Sequence, residues 1–420
     1  MEDLCVIGAG PAGLTAAIHA AQNRARVLVL ETNTTAGRKL LLTGGGRCNF
    51  THVGGPEDLA KAFGKPGRFL RQALYEFPPA QVREFFQWRE LPSTVEANGC
   101  VFPISDQAAD VRNVLVAEAA KLGVRIRYQL RVDDVAAGSE GFVIRTAGGQ
   151  VHASRVILAT GGLSWPQTGS TGDGYRFAAQ LGHTVIAPKP ALVPLVVRET
   201  WMSELAGVSV ANVRLRATVD AHPVVSAGNM LFTQRGIGGP AAQDLSRHLT
   251  DALFEGQCGI PVEIDLLPDL DEVQLDRQLQ QGLQAQPKKT VANVLSECLS
   301  LPRQLSQTLC LLAGCARDGQ AGQLPGPGRR QLVRTITRLP LCVTGTESIA
   351  KATVTRGGVS RDQIDPKTLE SKVRPGLFFA GEVIDLDGPC GGYNLQMCWS
   401  TGALAGRSAA QTRPDIHLPA

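Results

Sequence analysis

Gly8, Gly10 and Gly13 stand at the spacing G-x-G-x-x-G directly after the apolar residues Leu4-Cys5-Val6-Ile7, and Glu31 follows a second apolar run, Arg26-Val27-Leu28-Val29-Leu30. Residues of these types at these intervals bind a diphosphate-bridged dinucleotide. Gly8 admits a tight turn, Gly10 lets backbone approach a pyrophosphate, and Gly13 lets a helix pack closely on the preceding strand. Pro11 and Ala12 open that helix, whose free N–H groups and positive dipole end suit phosphate. Glu31 lies about eighteen residues beyond Gly13, where a carboxylate takes the adenosine ribose hydroxyls. The reading is an ADP-containing cofactor.

Two more stretches carry chemistry. Arg38 and Lys39 precede Leu40-Leu41-Leu42-Thr43, and then Gly44-Gly45-Gly46-Arg47-Cys48-Asn49 offers bare backbone donors and a cation, as a phosphate or a flavin edge would use. The other reading of this loop is a flexible hairpin tip. Near the other end, an apolar strand closes in Ala380-Gly381-Glu382, with Asp385 and Asp387 just beyond it. The glycine loop Gly388–Asn394 then opens a helix whose N-terminus can stabilise negative charge on a reduced flavin ring.

The elements that must position these residues follow from periodicity. Leu14–Gln22 reads as the first helix. Residues 56–92 read as mostly helical with Phe85, Phe86 and Trp88 in the core. Thr94–Pro103 reads as a hairpin about Asn98-Gly99, Val111–Leu122 as an amphipathic helix, and Val124–Tyr128 as a strand. Gly141–Thr146 and Val151–Ala153 read as a meander, after which Arg155–Leu158 is a buried strand ending in Ala159-Thr160-Gly161. Pro188, Pro190 and Pro194 mark a boundary. Beyond it Val208–Val225 and Pro261–Leu266 read as strands, and residues 270–315 as helices rich in Leu and Gln. Arg330, Arg334 and Arg338 fall four apart, a basic stripe on one helix face; its ordinary reading is a solvated surface, with RNA contact as the other.

Composition bounds the rest. A chain of 420 residues that is 43% hydrophobic and 19% charged is an ordinary globular protein of two or three domains. No apolar run reaches the length a membrane span needs, and the acidic start Met1-Glu2-Asp3 enters a strand at once, so a signal peptide is not expected and a cytoplasmic location is. The ten cysteines are scattered without C-x-x-C, and the seven histidines show no ligand spacing, so neither disulfides nor a metal site is expected. Cys310 and Cys315 form a C-x4-C pair read as core. The net charge of +4 permits an anionic partner without requiring one.

These motifs together resemble a flavoprotein family variously called aminoacetone-oxidase-like, YhiN-like or BaiN-like. The resemblance covers nearly the whole chain. It rests on GAGPAG at 8–13, GRKLLLTGGGRCNFT at 37–51, GCVFPISDQAADV at 99–111 and ATGGLSWPQTGSTGDGY at 159–175. LFTQRGIGGPAAQDLSR at 231–247, ATVTRGGV at 352–359 and FAGEVIDLDGPCGGYNLQMCWSTGALAG at 379–406 complete it. The family usually has Ser-Gly-Pro where this chain has Gly238-Gly239-Pro240, so no serine hydroxyl acts there.

The resemblance implies an α/β fold: a two-dinucleotide-binding, Rossmann-like FAD domain formed by 1–190 and 344–420. Inserted between them is a substrate domain at 191–343, β-barrel-like over 191–268 and helical over 269–343. It implies that Gly8–Gly13 and Glu31 hold the ADP half of FAD, with Thr160, Gly161 and Gly381 beside them. Arg38, Lys39, Gly44, Gly45, Gly46, Arg47, Cys48 and Asn49 line the flavin. Val132 reaches the adenine, Glu382 bonds the ribityl chain, and Gly391-Gly392-Tyr393-Asn394 lies against the ring.

Two flavin chemistries are disfavoured. A disulfide reductase would set a C-x4-C pair by the flavin, where only Cys48 stands, and a standard pyridine-nucleotide reductase would carry a second G-x-G-x-x-G. NAD(P)H remains a transient donor that could dock in the substrate cleft. The resemblance implies reduction of an activated C=C bond, by hydride from flavin N5 and a proton from a nearby side chain. Cys390 and Tyr393 are the candidate donors, with Cys48 behind them. The leading substrate is a ribosomal RNA uridine, with Arg329, Arg330, Arg334, Arg338, Lys288 and Lys289 as a phosphate-binding face. The alternatives are a small unsaturated or steroid-like acid, and a flavin-based redox sensor without turnover.

Overall fold

The computed structural model describes residues 2–411, which divide into two compact units: residues up to Lys189 with those from Thr353 onward, and Pro190–Ala352.

The first unit is built on a seven-stranded sheet. Its parallel part runs Arg125–Arg127, Val27–Leu30, Glu2–Ile7 and then the long strand Gly149–Leu158. Val6 lies between Val29 and Ile157, and Leu4, Cys5, Val6 and Ile7 are all buried. Continuous apolar runs of this kind are what strands covered on both faces require. The sequence suggested separate strands at Val151–Ala153 and Arg155–Leu158, but one strand does both jobs. Its first half pairs antiparallel with Gly141–Thr146, and its second half lies between Glu2–Ile7 and Leu377–Phe379. The last strand comes from the far end of the chain, so the sheet joins both termini.

Two helices cover the first strands with an unusually close approach. Pro11–Gln22 is rich in alanine, and Tyr393–Gln411 crosses it through Gly402 and Gly406. A Cβ on Gly402 would stand 2.5 Å from Ala12 O, and one on Gly406 would stand 2.2 Å from Ala16 O. The region 56–92 is three helices, Pro56–Ala62, Gly67–Glu76 and Pro79–Gln87. Phe86 is buried against Phe50 and Trp399 at ring separations of 5.1 and 6.0 Å. Trp88 is not core as expected: it is 80% exposed, because it caps the helix two residues on and falls on the opposite side from Phe86.

The second unit contains a closed six-stranded barrel. Its order is Leu195–Val197, Gly236–Gly238, His222–Phe232, Ser209–Val219, Ile260–Asp265 and Leu339–Thr346. The expected barrel segment 191–268 supplies only five of these strands. The sixth, Leu339–Thr346, returns after the helices and pairs with both Ile260–Asp265 and Leu195–Val197. A split into a barrel up to 268 and helices from 269 to 343 therefore does not hold, because five strands would leave two open edges. The helices are Glu272–Ala285, Val291–Leu299, Arg303–Leu312 and Gly326–Thr337. The first starts from a capping box in which Asp271 accepts from Gln274 N at 2.7 Å and Asp271 N donates to Gln274 Oε1 at 3.1 Å.

Candidate functional site

The turn from the first strand into the first helix is shaped by its glycines. Gly8 has φ +104°, and a Cβ there would stand 2.6 Å from Ala159 O. A Cβ on Gly13 would stand 1.9 Å from Gly8 O, so only glycine lets helix and strand meet. Gly10 differs: nothing lies within 4 Å of where its side chain would begin. It is the N-cap residue of Pro11–Gln22, and no side chain caps the helix amides behind it. The helix end is thus an open cradle of N–H donors at the positive dipole end.

Glu31 closes the other side of this turn. Its carboxylate accepts from Ala9 N at 2.8 Å, Asn33 N at 2.8 Å and Asn33 Nδ2 at 2.7 Å, and the residue is buried. Arg38 Nη1 donates to Asn33 Oδ1 at 2.9 Å, so Asn33 links the carboxylate to the guanidinium. Sequence reasoning passed over Asn33, although an Asx residue two positions after a strand-ending acid is a recognisable turn signal. Leu130 N donates to Glu31 O at 2.9 Å, which brings buried Val132 close behind in the chain. Gly161 has φ +72° and Gly381 has φ +74°. Gly381 N donates to Thr401 Oγ1 at 2.9 Å, and Thr160 Oγ1 is buried without a hydrogen-bond partner among the described residues.

Lys39 and Glu382 meet from opposite chain ends. Lys39 Nζ lies 2.7 Å from Glu382 Oε2 and donates to Ser164 Oγ at 2.6 Å. Glu382 Oε1 accepts from Thr355 N at 2.7 Å and Ser164 Oγ at 3.1 Å. Three of the acceptor positions of this carboxylate are therefore filled by the protein itself. Ser164 and Thr355 complete the network and carried no signal in sequence, since no local spacing marks such partners.

The triple-glycine stretch is not a hairpin tip. Leu40–Gly46 forms a tight helical turn broken by Gly44 and Gly45, at φ +58° and +69°, and a side chain on Gly45 would meet nothing within 4 Å. Arg47 does not act as the free cation of this loop. Its Nη2 lies 2.8 Å from Glu96, its Nε lies 2.8 Å from Asp106, and the guanidinium sits 4.0 Å over the Phe102 ring. Glu96 in the hairpin and Asp106 just beyond it neutralise it. Cys48 is fully buried, and desolvation pushes its thiol up to about 12. A thiol sealed in this way fills the turn and does not exchange protons with a ligand. Asp385 and Asp387 are also paired, with Arg361 and Arg356 at 3.2 and 2.9 Å.

The loop Gly388–Asn394 comes against the hairpin and the Asn49–His52 segment. Asn394 clips it shut: its Oδ1 accepts from Gly388 N at 2.8 Å and its Nδ2 donates to Gly388 O at 2.9 Å. At Gly391 a Cβ would stand 3.5 Å from both Cys100 Sγ and His52 Cδ2, and at Gly392 one would stand 2.8 Å from Asn49 Oδ1. The Tyr393 ring stacks on His52 at 4.7 Å and 22°. Cys390 and Tyr393 are half-buried, so both reach solvent or a ligand. His52 and Cys100 join this cluster through the pairing of strand Thr51–His52 with Cys100–Pro103, His52 opposite Cys100.

In the second unit the basic face is smaller than expected. Arg329 is held by Asp276 at 2.8 Å, Arg338 by Glu272 at 3.1 Å and Lys289 by Glu297 at 2.7 Å. Arg338 also lies past the helix end at Thr337 and leaves the stripe. Arg330 and Arg334 remain exposed with no ion pair among the described residues. A cleft of about 620 Å³ on the barrel is lined by both signs of charge, among them Arg214, Arg216, Glu263 and Asp265. Among the described residues no His, Cys, Asp and Glu side chains group as a metal site would need, and no helix is long and apolar enough to cross a membrane.

Against known proteins, the model of the HI0933-like protein Rossmann domain matches residues 2–408. The chain belongs to the HI0933-like family. Family relatives include the 3-dehydro-bile acid delta(4,6)-reductase of Clostridium scindens, 35% identical over 98% of this chain and 100% of that protein. They also include the ribosomal RNA dihydrouridine synthase of Escherichia coli, 33% identical over 95% of this chain and 96% of that one. In fold the chain is similar to the 3-ketosteroid delta1-dehydrogenase of Sterolibacterium denitrificans, with TM-score 0.52 at 13% identity over 98% of this chain and 100% of that one. As a member of the HI0933-like family it is an FAD-dependent oxidoreductase with a Rossmann-type α/β domain. Its residues fit that group: an uncapped helix end behind an empty Cβ position at Gly10, and a buried acceptor-only carboxylate at Glu31, match a diphosphate and a ribose in charge and donor set.

Proposed function

We propose that this chain reduces a carbon–carbon double bond conjugated to a carbonyl, with FAD as its redox group. Gly8, Gly10, Pro11, Ala12, Gly13 and Glu31 would hold the ADP half, with Thr160, Gly161, Val132 and Gly381 around it. Arg38, Lys39, Gly44–Gly46, Asn49, Glu382 and Gly391–Asn394 would border the flavin half. FAD, when bound, supplies hydride to the β-carbon. The chain supplies the proton for the α-carbon, and Tyr393 and Cys390 are the residues assigned to hold it. The observation that carries this reading is the convergence of Asn49, His52, Cys100 and the Gly391–Tyr393 segment at one half-exposed place. Proton-bearing side chains there flank a glycine loop at a helix N-terminus, which favours negative charge developing nearby.

Both named relatives, by their names, remove a double bond from a ring system, which supports the reaction class. A ribosomal RNA uridine is the first substrate reading, supported by exposed, unpaired Arg330 and Arg334. A small cyclic enone acid is the second, and the carboxylate partners of Arg329, Arg338 and Lys289 weaken the phosphate-binding face the first reading needs. NAD(P)H is the proposed electron donor. The deciding experiment mixes the anaerobically reduced holoenzyme with ribosomal RNA lacking the modification, or with a 3-oxo-Δ4 steroid acid, and follows flavin reoxidation and product. Dihydrouridine appearing in RNA selects the first, a saturated acid selects the second, and reoxidation by neither sinks the reductase reading.

A further inference from the structure

The helix Arg303–Leu312 ends in a left-handed residue, Gly314, at φ +78°. Gly314 N donates to Leu311 O at 3.0 Å, and Cys315 N donates to Cys310 O at 2.8 Å. These two bonds are the 5→2 and 6→1 pair of a Schellman motif, with Ala313 as C-cap. That motif brings the side chains three before and two after the cap into contact, where an apolar pair commonly sits. Here both of those side chains are thiols. Cys310 is 2% exposed within the core, and Cys315 is half-buried, packed against that core at the head of an exposed loop.

We infer that Cys310 and Cys315 form a dithiol that a hydroperoxide converts to a disulfide across the helix end. The Cys315 thiolate, its proton lost to solvent, attacks the peroxide O–O bond; a sulfenic acid forms on Cys315, and the alkoxide or hydroxide leaves and takes a proton. The Cys310 sulfur then attacks the sulfenic sulfur. The S–S bond forms, the S–O bond breaks, and the departing hydroxide leaves as water with the Cys310 proton. Two electrons pass from the thiols to the peroxide, which ends as an alcohol or water and one further water.

The geometry favours this site over the other cysteines. Burial pushes Cys5, Cys48 and Cys398 up to about 12, whereas the neighbouring Cys310 thiol pulls Cys315 below the usual thiol value. The helix C-terminus works against a thiolate at this position, so the neighbouring Cys310 thiol is what sustains it. Cys310 is also the thiol that the 6→1 backbone bond holds beside it. The loop that would be stapled is tied into its own unit, since Val291 N donates to Gly319 O at 2.9 Å and Ala321 N donates to Lys289 O at 2.8 Å.

The test treats the full-length, FAD-loaded protein with a small excess of hydrogen peroxide, then alkylates free thiols and maps peptides by mass spectrometry. The expected result is a loss of two alkylatable thiols and two hydrogens of mass, in a peptide cross-linked between 310 and 315 and restored by dithiothreitol. Cys310→Ser, which keeps a donor beside Cys315 but cannot resolve it, should instead leave a sulfenic acid on Cys315 that dimedone captures, and Cys315→Ser should abolish the loss. Free, alkylatable Cys310 and Cys315 in the treated wild-type protein, with oxidation confined to exposed Cys258, would overturn the inference, and the wild-type map decides it even if a variant does not fold.

Discussion

Replacing His19 by leucine should remove much of the acid sensitivity of the FAD-binding unit. His19 lies on the first helix, 4% exposed, edge-on to Phe77 at 5.0 Å, and neither ring nitrogen has a hydrogen-bond partner among the described residues. Desolvation, with added repulsion from Arg407 and Arg89, pulls its pKa from 6.5 down to about 3. Those two arginines are themselves paired with Glu76 and Glu118, so no carboxylate is left to receive an imidazolium. The folded chain therefore keeps His19 neutral while the unfolded chain protonates it below 6.5. The unfolded state binds the extra proton, so stability falls as pH falls through this window, by about 1.4 kcal/mol per pH unit. At pH 5 the loss is roughly 2 kcal/mol, and near pH 4 roughly 3 kcal/mol.

The assay is urea unfolding of wild type and His19→Leu at pH 7.5 and pH 5. It is followed by circular dichroism and by release of flavin fluorescence, which reports the unit that holds His19. His183 is also buried with its pKa lowered by desolvation, Asp3 is held low by Arg26, and Asp173, against its own desolvation, by the Thr171 hydroxyl and Arg131. These groups titrate alike in both proteins, so the difference between variants isolates His19. The expected result is a variant about 2 kcal/mol less sensitive than wild type to the step from pH 7.5 to pH 5. Equal losses in the two proteins would refute the reasoning, because His19 would then be reaching solvent or a partner on protonation.

Gly10→Ala should leave the melting temperature of the FAD-free protein nearly unchanged, since its Cβ enters open space, yet weaken FAD binding at least tenfold by titration. Gly13→Ala, with its Cβ 1.9 Å from Gly8 O, should instead yield little folded protein, and the reverse ranking would contradict the cradle. Lys39→Met leaves the Glu382 carboxylate without its cation and should cost about 2–4 kcal/mol in chemical denaturation. Under the reductase reading, Tyr393→Phe and Cys390→Ala should be compared by the solvent isotope effect on single turnover. The true proton donor loses about a hundredfold in rate when removed, and a variant that only loosens packing keeps its isotope effect.

The sequence by itself determined what local spacing can determine. The strand–glycine–helix–strand–Glu31 order is a matter of neighbours in the chain, so the strand-to-helix turn, the steric need for glycine at Gly8 and Gly13 and the α/β class were all legible. The loop around Gly44–Gly46 was recognisable as special for the same reason, and so was the C-x4-C interval at Cys310. Tertiary structure alone decided where long-range partners go. Arg47 was read as a cation for a ligand, but Glu96 in the hairpin and Asp106 just beyond it claim it, and no periodicity announces that pairing. The barrel was read as ending by residue 268, but closure waits for Leu339–Thr346, because an edge is satisfied by whichever strand returns to it in space. Trp88 was read as core from its type, although the helix phase beside Phe86 turns it outward. Charge neutralisation, sheet closure and the meeting of His52, Cys100 and Tyr393 are set by three-dimensional proximity, which a one-dimensional pattern constrains only where the contacts are short-range.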